Sequence, residues 1–171
     1  MFVKFLRESA VAAWLLLIAR LWLGWKWLKA GWGKVTGEFD ASGYLQGAIA
    51  KASGDNPVVQ EWWANFLSGF ALPNVQLFNF LVAWGELLVG LGLILGTFTT
   101  FATLMGVVMN FAFLFSGTIS TNPNMVLVAI FILVAGANAG KIGLDRWVIP
   151  YIRQGVQALL NRGKELKQTG V

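Results

Sequence analysis

The chain has 171 residues, of which 57% are hydrophobic and only 12% charged, with a mean hydropathy of +0.65. That balance lies outside the range of soluble domains and describes a membrane protein. Cys and His are both absent, which excludes thiolate nucleophiles, disulfides, imidazole bases, His-ligated metals, haem and iron–sulfur clusters. The net charge of +5 in so apolar a chain points to membrane orientation and anionic headgroups rather than nucleic acid.

In chain order, the first apolar segment covers residues 9–28, the length a helix needs to cross the hydrocarbon core, with Arg20 inside it. The basic start at Lys4 and Arg7 has the look of a signal peptide, but no small-residue cleavage site follows and Arg20 interrupts the run, so an uncleaved span is expected. Residues 37–73 form an outer helical loop. There Val58, Val59, Trp62, Trp63, Phe66, Leu67 and Phe70 recur at helical spacing, with Asn56 and Pro57 marking the start and Pro73 the end. Tyr44, Leu45, Ala48 and Ile49 suggest a shorter amphipathic turn before it. Both read as interfacial helices or a lid, with Trp62, Trp63, Phe66 and Phe70 on one docked face.

Two further spans follow at residues 76–95, carrying Glu86, and 98–115, carrying Asn110, divided by GTFTT at residues 96–100. A fourth lies at 125–139 after Asn122 and Pro123. Residues 147–171 read as a basic amphipathic cytoplasmic tail. The fold expected is thus an all-α, integral membrane four-helix bundle over residues 1–146 with an outer amphipathic helical segment between helices one and two. Eight Lys and Arg residues flank the two termini against four in the first loop, which predicts a multi-pass cell-membrane protein with both termini cytoplasmic.

Arg20 and Glu86 each stand about ten residues into their spans, which places both near the midplane of antiparallel neighbours, within reach of each other. A charge in the hydrocarbon centre costs at least about 2.5–3.5 kcal/mol, so burial and pairing are expected. The pair has two readings, an ion pair that fixes helix register and a polar site for an anion or a proton. Asn110, Asn122 and Asn124 can line the same cavity or bond between helices. Trp22, Trp25, Trp27 and Trp32 serve as interfacial anchors or stack on a planar ligand.

Four blocks, ARLWLGWKWLKAGWGK (19–34), GELLVGLGLILGTFT (85–99), MNFAFLFSGTISTNP (109–123) and GKIGLD (140–145), together resemble the DoxX family. Within it they are similar to the DoxD-like branch associated with thiosulfate:quinone oxidoreductase. The resemblance implies a compact four-helix membrane protein, oxidation of thiosulfate to tetrathionate and quinone as electron acceptor. Arg20, Lys34, Glu86, Asn110, Asn122 and Asp145 match the family's polar motif positions. Thiosulfate needs cations, for which Arg20, Lys26 and Lys34 are candidates, with Asn110 and Asn122 as polar lining. Quinone reduction needs protons, which Glu86 delivers if protonated, whereas an ionised Glu86 pairs with a cation. Arg20 and Glu86 are the catalytic candidates. Three functions stay open: a quinone-linked sulfur-compound oxidoreductase or its membrane subunit, a noncatalytic scaffold of a redox or stress complex, and a small-molecule or lipid-binding protein. Expected partners are membrane lipids, a companion redox subunit or sulfurtransferase and a second copy of the chain. No metal, no haem and no nucleic acid are expected.

Overall fold

The computed structural model describes the backbone of residues 1–168 and side chains through Asn161; the expected basic tail residues Arg162, Lys164 and Lys167 lie outside the described side chains. Helix accounts for 79% of the chain, with no strand among the described residues. A short helix α1 (Phe2–Glu8) precedes α2 (Ala10–Thr36). Ser9 breaks the two apart with extended backbone, and its hydroxyl accepts from the Ala12 amide, as an N-cap serine does. The long α2 exceeds the expected span by about two turns at its C-terminal end. Nothing in WKWLKAGWGK stops a helix, and Gly31 and Gly33 remain inside it.

The outer loop contains α3 (Ser42–Ala50) and α4 (Glu61–Phe66), the latter running into a π-helical turn at Leu67–Ala71. The expected start at Asn56 and Pro57 is corrected to Glu61, since residues 57–60 lie outside any helix. The expected docked face forms, with Trp63 bonded to Ser116 and the rings in contact with Phe115 and Phe78, but it is not the most buried side. Ala64, Leu67 and Ala71 are the buried side of this segment, and Leu67 and Ala71 pack on Ala41, Leu45 and Ala48. Trp62, Phe66 and Phe70 keep 55%, 38% and 49% of their surface. They form an aromatic ladder that leans on Phe115 and Phe78. Small residues face α3 because they let the two lid helices lie close, while the large rings reach α5 and α6.

α5 (Val75–Leu95) runs antiparallel to α2, and α6 (Thr99–Phe115) and α7 (Asn122–Ala135) follow as shorter apolar helices. Two helices, α2 and α5, are long and apolar enough to cross a membrane. Both carry large apolar side chains on the outside, among them Trp14, Ile18 and Trp25 on α2 and Phe80, Trp84 and Leu88 on α5, an exposure that suits lipid and not water. The interior holds Leu16, Leu23, Trp27, Leu93 and Ile132. Gly96 (φ +64) ends α5, and Gly136 (φ +57) breaks α7 before the expected end, so α8 (Ala137–Gly140) is a separate turn. α9 (Asp145–Gln168) completes the described chain. The bundle therefore has a lid end, where α3, α4 and the α6–α7 link lie, and a terminal end, where α1, α8, the start of α9 and the α5–α6 turn meet.

Candidate functional site

The register of α2 against α5 decides where the charges fall. A Cβ built at Gly31 would collide with the backbone of Glu86 and Leu87, and one at Gly90 with the backbone of Leu28. Each residue of α2 thus lies opposite a residue of α5 about 14 positions later than alignment of the two expected spans requires, about 20 Å along the axis. Arg20 comes to rest against Gly96. Glu86 comes to rest against Lys34, with Lys34 Nζ donating to Glu86 Oε2 at 2.6 Å. The expected Arg20–Glu86 pair does not form; the two residues occupy opposite levels of the bundle.

Around the Lys34–Glu86 pair lies a cavity of about 350 Å³ at the lid end. Glu86 is 2% exposed, whereas Lys34 keeps about a quarter of its side-chain surface, so the carboxylate is the floor and the ammonium the mouth. The walls are aromatic: Phe39 from the α2–α3 link, Tyr44 from α3, Trp63 and Phe66 from the lid, Phe78 from α5 and Phe113 from α6. Lys34 Nζ also lies 5.5 Å from the Phe39 ring centroid, a cation–π contact that keeps the ammonium at the wall. The polar rim comes from the α6–α7 link. Ser116 accepts from Trp63 Nε1 at 2.9 Å, Thr118 shares a hydrogen bond of 3.1 Å with the Tyr44 hydroxyl, and Asn122 Nδ2 donates to the Thr118 carbonyl at 2.9 Å. Ser120 in this link has φ +42, a left-handed conformation that costs a non-glycine residue about 1 kcal/mol and collects at ligand-facing loops.

At the other end Arg20 is enclosed. Arg20 is 1% exposed; Nη1 donates to the Ala139 carbonyl at 3.2 Å and Nη2 to that of Ile142 at 2.6 Å. Gly96 and Gly143 pack directly on the guanidinium, where any Cβ would overlap it. Asp145 accepts from the Phe98 amide at 2.6 Å and the Thr99 amide at 3.0 Å, which satisfies two free amides at the start of α6 and places a carboxylate at its positive end. The GKIGLD block is therefore a knot that ties α2, α5, α6 and α9 together, with no cavity at Arg20 into which a ligand fits.

Of the other residues expected at a site, Asn122 lines the cavity and Lys26 does not. Lys26 is exposed, with Nζ 5.8 Å from the Trp22 ring. Asn124 is also exposed. Asn110 is fully buried on α6 behind the cavity wall, and neither its amide nitrogen nor its oxygen has a partner. Trp27 is a core residue at 2% exposure, whereas Trp22, Trp25 and Trp32 are exposed at 40%, 60% and 61%, as anchors require. The aromatic walls Phe39, Tyr44, Phe78 and Phe113 were not legible as site residues, because they come from four separate segments with no shared spacing.

An all-α chain with lipid-suited helix faces and an ion-paired, aromatic-walled cavity is a helical membrane protein. The chain belongs to the DoxX family, whose model matches residues 15–139. No curated protein and no solved structure matches it.

Proposed function

We propose that the chain is the membrane subunit of a quinone-linked sulfur-compound oxidoreductase, with thiosulfate as the sulfur compound and the lid-end cavity as the site of the quinone ring. The observation that carries this reading is a buried carboxylate paired with a partly exposed ammonium inside aromatic walls. Flat walls suit a planar ring, Lys34 offers a donor to a ring oxygen, and Glu86 is placed to hold a proton for it. Oxidation of two thiosulfate ions to tetrathionate releases two electrons, and a quinone takes two electrons and two protons. The chain's own part is to orient the ring, exclude water and move a proton through Glu86. The sulfur half draws its support from the DoxD-like motifs. A companion subunit with a thiol, such as a sulfurtransferase, would supply the sulfur chemistry that a chain without Cys lacks.

The same reading takes α2, α5, α6 and α7 as four spans with both termini cytoplasmic, in keeping with the excess of Lys and Arg at the terminal end. The cavity then opens to the outer surface. Single Cys residues at Gly54 and Gly155 should label from opposite faces of oriented vesicles, and labelling from one face rejects the topology.

Binding is tested by titrating a short-chain quinone into the protein in lipid nanodiscs and following tryptophan fluorescence. Quenching that saturates, and that weakens in Trp63→Phe, supports the site; no saturable quenching rejects it. Thiosulfate-dependent quinone reduction, measured with and without copurifying subunits, should fall about 10²- to 10⁴-fold in Glu86→Gln if Glu86 transfers the proton.

A further inference from the structure

A second cavity lies at the terminal end, outside the site described above. It is a groove of about 780 Å³ bounded by α1, the start of α6, α8 and the first turns of α9. The groove is a built feature. The start of α9 is fastened by Leu144 and Asp145, whose amides donate to the carbonyls of Leu95 at 3.1 Å and Gly96 at 2.7 Å, in addition to the bonds of the Asp145 carboxylate. On α9, Arg146, Ile149, Pro150 and Arg153 share one helical face and together form one wall. Opposite stand Arg7, Phe98, Phe101 and Lys141.

Charge in this groove is unbalanced. Its two carboxylates are already engaged, Glu8 with Lys4 at 3.9 Å and Asp145 with the α6 amides. Its four cations, Arg7, Lys141, Arg146 and Arg153, make no ion pair among the described residues. Arg7 is held in place by its own Nε, which donates to the Val134 carbonyl at 2.9 Å, so its terminal nitrogens are kept at the rim. Four cations around an apolar floor of Phe98, Phe101, Ile149 and Pro150 match a molecule with one anionic end and one hydrocarbon end.

We propose that this groove binds an anionic phospholipid of the surrounding bilayer, its phosphate among Lys141, Arg146 and Arg153 and its acyl chain along Phe98, Phe101 and Ile149. Guanidinium groups bind phosphate through paired, charge-assisted hydrogen bonds, and a bilayer supplies such a ligand at high local concentration. The groove thus holds the terminal end at headgroup depth, independently of what occupies the lid-end cavity.

The test uses the full chain purified in mild detergent and offered equal amounts of phosphatidylglycerol and phosphatidylcholine of matched chains, with bound lipid counted by native mass spectrometry. Phosphatidylglycerol should be retained over phosphatidylcholine. The variant Arg146→Gln/Arg153→Gln should lower that retention about thirty-fold, and Lys141→Gln alone about five-fold. Lys26→Gln/Lys29→Gln, with the same loss of charge on the exposed middle of α2, should leave it unchanged. Equal retention of the two lipids, wild-type retention by the arginine variant, or an equal loss in the Lys26/Lys29 control overturns the proposal. Displacement of the lipid by millimolar inorganic phosphate overturns it too, since the groove would then be a small-anion site. If the double variant does not fold, the Lys141→Gln result decides.

Discussion

The protein buries charge at two levels, and the two differ in what surrounds the charge. At the terminal end the two terminal nitrogens of Arg20 donate to the carbonyls of Ala139 and Ile142 while its buried Nε has no partner, and glycines at 96 and 143 pack directly on the guanidinium. At the lid end Glu86 has one partner, Lys34, and an open cavity beside it. A buried charge that is closely packed and bonded to backbone carbonyls holds a fold together, whereas one beside a cavity is accessible to a ligand. The features expected of a single Arg20–Glu86 pair are thus divided between two places, with close packing at Arg20 and the cavity at Glu86.

That contrast makes Arg20 the most costly residue to remove. Arg20→Ala should destabilise the protein by about 3–5 kcal/mol, because it strands two carbonyls and removes the cation near Asp145. Thermal unfolding in detergent measures this. Gly96→Ala should act in the same direction by about 2–4 kcal/mol, since it adds both a left-handed strain and an overlap with the guanidinium. Glu86→Gln should cost less, about 1–3 kcal/mol, as Lys34 reaches the cavity mouth and is partly rehydrated. Its larger effect should be on ligand binding. Combining Arg20→Ala with Glu86→Gln sharpens the comparison. Residues this far apart should give additive losses within about 0.5 kcal/mol, and a large coupling energy would show that the two ends are one network.

Smaller effects should be confined to the lid. Trp63→Phe keeps the ring that stacks on Phe66 and loses the hydrogen bond to Ser116, for a cost of about 1 kcal/mol. The weakest probe is Asp40. Hydrogen bonds from the Asn79 amide, and then from the amide and hydroxyl of Ser42, hold its carboxyl below the usual carboxylate range. A lowered folded value means that its contribution is complete above the unfolded value of about 3.9 and is lost as pH falls through the lower folded one. Amide-exchange protection of the α2–α3 link should be flat from neutral pH to about 5 and should decline below about 4. Asp40→Asn should remove that dependence.

Helix type and order were legible in the sequence because long apolar runs can form little else, and the starts of α5 and α6 fall within a residue of the expected positions. The register of α2 on α5 was not. Aligning span ends assumes equal helices, but α2 continues through Trp32 and Lys34 to Thr36, and the glycines at 24, 31 and 90 fix the pairing through close backbone contact that hydropathy does not record. Lys34 and Glu86 were each legible as unusual charges, yet their meeting depends on that register. The lid's periodicity marked a helix correctly and included the buried Leu67, but it passed over Ala64 and Ala71, because hydrophobic size favoured the rings. Asn110 was legible as an intramembrane polar residue; its lack of any partner needed the structure.

The glycine contacts between α2 and α5 have a mechanical consequence. Backbones that touch at Gly31 and Leu87 and again at Leu28 and Gly90 cannot slide or rotate past one another without steric overlap, so the two longest helices behave as one stiff strut. Any widening of the lid-end cavity to admit a molecule must then come from the other walls. Those are α3 and α4 with their π-turn, and the link from Ser116 to Thr121, each held by a few side-chain hydrogen bonds. The floor carrying Glu86 stays still while the door moves.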